Sequence, residues 1–136
     1  MPAKFEWIDV PARALIALLF LISATTKVSE TAALQAYMAA FGVPAVLVWP
    51  AAIWEYTAGV LILVGLFIRP VSLLLSAWCV LTAVIFHTAF SDMNQLMNFF
   101  KNMTMAGGFL LIAKTHPMAY SIDAYLMSRP RLGAKA

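Results

Sequence analysis

Long apolar runs separated by short polar joints dominate the chain, and four of them approach the roughly 20 residues a helix needs to cross a bilayer. They extend from Pro11 to Val28, Val46 to Ile68, Pro70 to Phe90 and Gln95 to Ala113. Arg69-Pro70 leaves almost no loop between the second and third runs, which predicts a tight antiparallel hairpin. Pro70 suits the first turn of a helix, where no intrahelical hydrogen bond is lost; Pro50 either opens the second helix or kinks it. Two shorter segments show helical periodicity without the length to span. Leu34, Tyr37, Met38 and Phe41 fall at i, i+3, i+4 and i+7 before Gly42-Val43-Pro44, and Met118, Ile122, Tyr125 and Leu126 repeat the pattern after Thr115-His116-Pro117. Both are expected to lie at the membrane surface. The predicted fold is all-α: one polytopic membrane domain over residues 1–136, a four-transmembrane-helix bundle with short interfacial helices.

Composition strengthens this picture. Of 136 residues, 63% are hydrophobic and 11% charged, against roughly 45–50% and 25% in soluble domains; mean hydropathy is +0.88. Such an excess of apolar surface is accommodated by lipid. A single cysteine, Cys79, excludes an internal disulfide and a multi-cysteine metal site. With two histidines and no ligand-like spacing, no metal or haem site is expected. The net charge of +3 comes from scattered basic residues, so nucleic acid is not a predicted partner. Near the N-terminus Lys4 and Arg13 are offset by Glu6 and Asp9, so the Ala14–Ile22 run is taken as a retained helix and not a signal peptide.

The basic residues carry orientation instead. Lys4, Arg13, Arg69, Lys114, Arg129, Arg131 and Lys135 fall on one side of the four spans, and Lys27 and Lys101 on the other. The positive-inside rule then predicts that both termini are cytoplasmic.

Polar residues inside the apolar spans are the candidates for function, because a charge at the bilayer centre costs at least ~2.5–3.5 kcal/mol and so usually faces a partner. They are Arg13 and Lys27 on the first span, Glu55 on the second, His87 on the third, and Asn98, Lys101 and Asn102 on the fourth. At about 1.5 Å per residue, Glu55, His87, Lys101 and Lys27 fall in the outer half of the membrane, with Arg13 at the cytoplasmic edge. Glu55 and Lys101 are expected to pair. Arg13 and Lys27, fourteen residues apart, nearly share one face. Gly59 shares a side with Glu55 and Ile62, and Gly107-Gly108 offer a small surface for close helix approach. Each has a plainer reading: Lys27 snorkelling, Arg13 and Arg69 as topology anchors, His87 as a satisfied interfacial side chain, Glu55–Lys101 as structural glue. The tryptophans Trp7, Trp49, Trp54 and Trp78 include interfacial anchors.

The order of these features resembles the DoxX family. The resemblance rests on Arg13 with the Ala14–Ile22 run and Lys27-Val28, on Glu55-Tyr56-Thr57-Ala58-Gly59 followed by Gly65-Leu66-Phe67-Ile68-Arg69, on Phe86-His87 with Phe90, and on Lys101-Asn102 with Gly107-Gly108-Phe109-Leu110-Leu111. It covers roughly residues 13 to 113; Ala24 stands where the family pattern would have glycine. The resemblance implies a four-helix protein of a bacterial-type inner (plasma) membrane. Some relatives are associated with quinone-linked oxidation of sulfur compounds, others with membrane complexes that resist oxidative stress. A subunit of a redox-linked assembly is therefore the leading expectation, with a quinone or lipid-like ligand in the outer-half pocket, and with Glu55, His87, Lys101, Asn102, Asn98 and Lys27 as ligand-binding or proton-handling candidates. Nothing in the chain carries electrons, so it is expected to serve an oxidoreductase as subunit or partner rather than act alone. Its expected partners are the lipid bilayer, a redox protein and further copies of itself in a homo-oligomer. The alternatives are a small transporter or proton-conducting module, and a non-catalytic anchor or assembly factor.

Overall fold

The computed structural model describes residues 5–115 and 117–129; Lys4, His116, Arg131 and Lys135 lie outside them. Among these described residues six α-helices follow one another: α1 (Asp9–Ser29), α2 (Thr31–Ala40), α3 (Val48–Val64), α4 (Ile68–Phe86), α5 (Met93–Thr115) and α6 (Ile122–Ser128), with short 3-10 turns at Glu6–Ile8 and Ala45–Leu47. No strand occurs among the described residues.

Among the described residues three segments are long and apolar enough to cross a membrane: Glu6–Ser29, Ala45–Val64 and Ile68–Phe86. The fourth expected run forms α5, 23 residues long, but Asn94, Gln95, Asn98, Lys101 and Asn102 in its first half dilute its apolar character and leave it outside that group. The expected second span is also too long. α3 stops at Val64, where Gly65 takes the left-handed conformation (φ 75°). Its N–H donates to the carbonyl of Ile62 (3.2 Å), and that of Leu66 to the carbonyl of Leu61 (2.9 Å), the paired bonds of a Schellman ending. Likewise α4 ends at Phe86, short of the expected Phe90. Pro50 and Pro70 each sit third in their helices, inside the first turn, so neither kinks its helix.

α1 packs along α3 and α4 along α5; the two pairs meet less extensively through α3 and α4. On α1 the inward stripe is Arg13, Ala17, Phe20 and Ala24, extended by the half-buried Lys27. These steps of four and three residues put both basic residues on one face, one at each end, as their spacing suggests. Across from this stripe Glu55, Gly59 and Ile62 are buried on α3. A Cβ on Gly59 would lie 3.0 Å from the Leu21 side chain, so the glycine permits the α1–α3 approach. Phe20 and Phe109, with ring centroids 5.6 Å apart, join the pairs through the core they share with Leu75, Cys79 and Ile112.

At the Arg13 end the chain is clasped by its own C-terminal segment. Asp123 accepts from the N–H groups of Phe67 (2.9 Å) and Ile68 (2.8 Å), capping α4 from 55 residues away, where no local side chain does so. The favourable interaction of a carboxylate with a helix N-terminus explains the choice of residue. Asp123 N–H in turn donates to the Gly65 carbonyl at 2.9 Å. Arg13, 2% exposed, donates through Nη2 to the Tyr120 carbonyl (2.7 Å), and Asp9 accepts from Ala119 N–H (2.6 Å). Arg69 Nε donates to the Ala113 carbonyl at 3.3 Å, tying the start of α4 to the end of α5. Of the second short amphipathic stripe, Met118 is buried, whereas Ile122, Tyr125 and Leu126 face outward.

Candidate functional site

The other end of the bundle holds a cavity of about 420 Å³ between the two helix pairs, roofed by α2. Its walls are apolar, with Leu19, Phe20, Leu47, Val48, Ile85 and Met105 among the residues that line it. A charged cluster interrupts them. Glu55, 5% exposed, accepts at Oε2 from Lys27 Nζ (2.7 Å) and Ser23 Oγ (2.7 Å), and at Oε1 from Trp78 Nε1 (3.0 Å). Lys27 Nζ also donates to Ser23 Oγ at 2.8 Å. All four side chains line the cavity. Ser23 and Lys27 are neighbours because they stand four residues apart on one helix, and Trp78 reaches the carboxylate from α4. The arrangement is what burial of a carboxylate requires: a counter-charge and donors on both oxygens.

The expected Glu55–Lys101 pair therefore does not form. The ion pair of Glu55 is with Lys27, and Lys101 is exposed, outside the cavity. Helical geometry explains the change. Successive residues point about 100° apart, so turning Asn102 toward α4 carries Lys101 off that face. Asn102 lines the cavity; its Oδ1 accepts from Thr82 Oγ1 (3.4 Å) and its Nδ2 donates to the Asn98 carbonyl (3.0 Å). Asn98 contributes that carbonyl but does not line the cavity. His87 does line it, with Nδ1 2.8 Å from Gln95 Oε1.

Gly107 and Gly108 also differ from expectation: nothing lies within 4 Å of a Cβ built on either. They open outward, because the α4 contacts of α5 are made by neighbours such as Ala106, whose carbonyl accepts from Ser76 Oγ at 3.0 Å.

Sequence reasoning passed over Ser23 and Trp78. The serine is one helical turn before Lys27 and so was legible as a neighbour. Trp78 reads equally as an interfacial anchor, and only its hydrogen bond from α4 to Glu55 on α3 distinguishes the two roles. Trp7 and Trp49 are exposed as anchors would be, whereas Trp54 and Trp78 pack against the core. Cys79 and Thr82 complete the α4 wall. Among the described residues no group of three or more His, Cys, Asp or Glu side chains is placed to hold a metal ion.

The DoxX family pattern matches residues 8–88, more than half of the chain. The chain belongs to the DoxX family. Inner membrane protein YqjF of Escherichia coli (strain K12) is 41% identical over 116 residues, covering 85% of this chain and 88% of the relative. Inner membrane protein YphA of the same organism is 36% identical over 120 residues, covering 82% and 85%. No solved structure gives a significant match. The DoxX match spans the helices that supply Lys27, Glu55, Trp78 and His87, while α5 and α6 lie beyond it. Family membership, inner-membrane relatives and three helices able to cross a bilayer make this DoxX protein an integral membrane protein.

Proposed function

We propose that the chain is a four-span protein of a bacterial-type inner membrane, and that its cavity receives a quinone or a similarly lipid-soluble ligand for a redox-linked assembly. The observation that carries this reading is the 420 Å³ apolar cavity with one charged cluster in its wall. Small-molecule sites combine an apolar lining with a few placed polar groups, and a ligand arriving from lipid needs the first while its headgroup needs the second. Lys27 spends two N–H groups on Ser23 and Glu55 and has a third to offer a carbonyl. His87, whose Nδ1 faces the acceptor Gln95 Oε1, has Nε2 to accept from a ligand hydroxyl in the neutral tautomer that this contact selects. No residue of the chain carries electrons, so a redox partner protein would supply or accept them. The rival is an anchor or assembly role with the cluster as a clip between helices, favoured by the fact that three donors already surround Glu55.

A short-chain ubiquinone analogue in nanodiscs separates the two. Ligand at about 100 times its Kd should stabilise the protein by roughly 2.7 kcal/mol through mass action. The thermal shift is expected to shrink in His87→Ala and to persist in Lys101→Met, which lies outside the cavity. A shift of equal size in all three proteins would leave the cluster as a clip and nothing more.

In this reading α5 is the fourth span, about 34 Å long at 1.5 Å per residue, with Asn98 and Asn102 turned toward the protein. An even number of spans and the excess of basic residues at the Arg13 end then support a cytoplasmic position for both termini. A cysteine at position 128 (Ser128→Cys in a Cys79→Ser background) should resist an impermeant maleimide in intact cells and react after lysis. Labelling before lysis would reverse the orientation.

A further inference from the structure

The one wall of the cavity that the bundle does not hold firmly is α2. Leu34, Tyr37 and Met38 of this helix line the cavity, yet none of its ten residues is buried, whereas α1, α3, α4 and α5 each bury four or more. Its side-chain attachment to the far side of the cavity runs through Phe86. Tyr37 stacks on that ring with centroids 5.6 Å apart, and Phe41 meets it edge-on at 5.4 Å. The hydrogen bond between Tyr37 Oη and the Phe86 carbonyl is long, at 3.4 Å, and exposed.

Both ends of α2 are joints. Glu30 alone separates it from α1, with φ −118° and ψ 35°, and supplies no side-chain cap. Gly42 follows it in the left-handed region at φ 72°, and a Cβ there would meet nothing within 4 Å. Few buried contacts and an exposed hydrogen bond mark the part of a fold that opens at least cost. A short helix with one apolar face is also suited to lie at the membrane interface.

We propose that α2 is a lid: it swings about Glu30 and Gly42 to admit ligand from the membrane–water interface, and the Tyr37–Phe41–Phe86 aromatic cluster latches it shut. The proposal rests on the cavity being a ligand site, and it commits that ligand to an interfacial route that avoids passage between the packed long helices. It also makes the latch, rather than the Glu55 cluster, the determinant of how fast the site fills.

The protein carries its own reporter. Cys79 is its one cysteine, it lines the cavity, and it is 1% exposed, so a lipophilic maleimide reaches it only when the cavity opens. With the protein in nanodiscs, N-phenylmaleimide should label Cys79 about tenfold faster in Tyr37→Ala, which loses two ring contacts, and detectably faster in Phe41→Leu. Phe90→Ala removes a ring contact with Phe99 away from the cavity, and its labelling rate should match wild type. Equal rates in all four proteins, or an acceleration in Phe90→Ala as large as in Tyr37→Ala, would overturn the lid. A short-chain ubiquinone analogue tests the underlying reading separately. If Tyr37→Ala accelerates labelling but saturating analogue does not slow it, the lid stands and the ligand assignment falls.

Discussion

Lys27→Met is expected to destabilise the protein much more than Glu55→Gln, although the two residues form one ion pair. The side chains differ in exposure, 19% for Lys27 and 6% for Glu55. Removing the ammonium leaves a carboxylate in an apolar cavity with only Ser23 and Trp78 as donors. An uncompensated buried charge of this kind costs about 3–5 kcal/mol. Removing the carboxylate leaves an ammonium on a flexible stem at the last turn of α1, from which it can reach the interface by snorkelling. The loss then falls nearer the ~1 kcal/mol of one hydrogen bond. The double variant should recover most of the stability lost in Lys27→Met, and Lys101→Met should lie close to wild type because it touches neither partner. Equilibrium unfolding in detergent micelles measures all four. Equal losses in the two single variants would mean that Glu55 gains little from Lys27 in particular.

Gly65→Ala is expected to be about as damaging, for a reason at the opposite end of the bundle. An L-residue in the left-handed region costs roughly 1–2 kcal/mol, and Gly65 sits there at φ 75°. Space adds to the conformational cost. The new methyl would collide with Arg13 Nη1 and Ser121 Cβ, with the Ser121 backbone 3.0 Å away. Arg13 can rotate, but the Ser121 backbone belongs to the segment whose Asp123 caps α4. Displacing it weakens hydrogen bonds to a charged acceptor, each worth about 1.5–3 kcal/mol. A total loss of roughly 3–5 kcal/mol follows from these two contributions, read as a lowered unfolding midpoint. Chymotrypsin cleavage after Tyr125, in the segment that follows Ser121, should accelerate in parallel, since the C-terminal clasp loosens. A variant as stable as wild type would show that the clasp yields without cost.

Much of the fold is local and therefore legible along the chain. Helical periodicity places the Arg13-to-Lys27 stripe, the short amphipathic helix at Leu34 to Met38 and the break at Thr115, because each depends on residues within one or two turns. The all-helical class and the membrane setting follow from the apolar excess, which no rearrangement of the chain can hide. His87 at the end of its helix and Glu55 on the face shared with Gly59 were legible for the same reason.

What the chain alone left open is how each helix turns about its own axis and which distant residue meets it. On α5 the stripe Asn98, Lys101, Asn102 is consistent with either edge facing in, since the pattern spans about 100°. Packing against α4, through Ser76 to the Ala106 carbonyl and Thr82 to Asn102, selects the asparagine edge and leaves the lysine outside. That choice decides that Glu55 is neutralised by Lys27. The same holds for Asp123, whose role as the cap of α4 depends on a contact 55 residues away, and for Trp78, which becomes a donor to Glu55 only once α3 and α4 lie side by side. Residue type and spacing therefore determined which groups needed partners. Tertiary packing decided which partners they have, because polar complementarity between helices is a property of their relative rotation and depth, and a single helix carries no record of either.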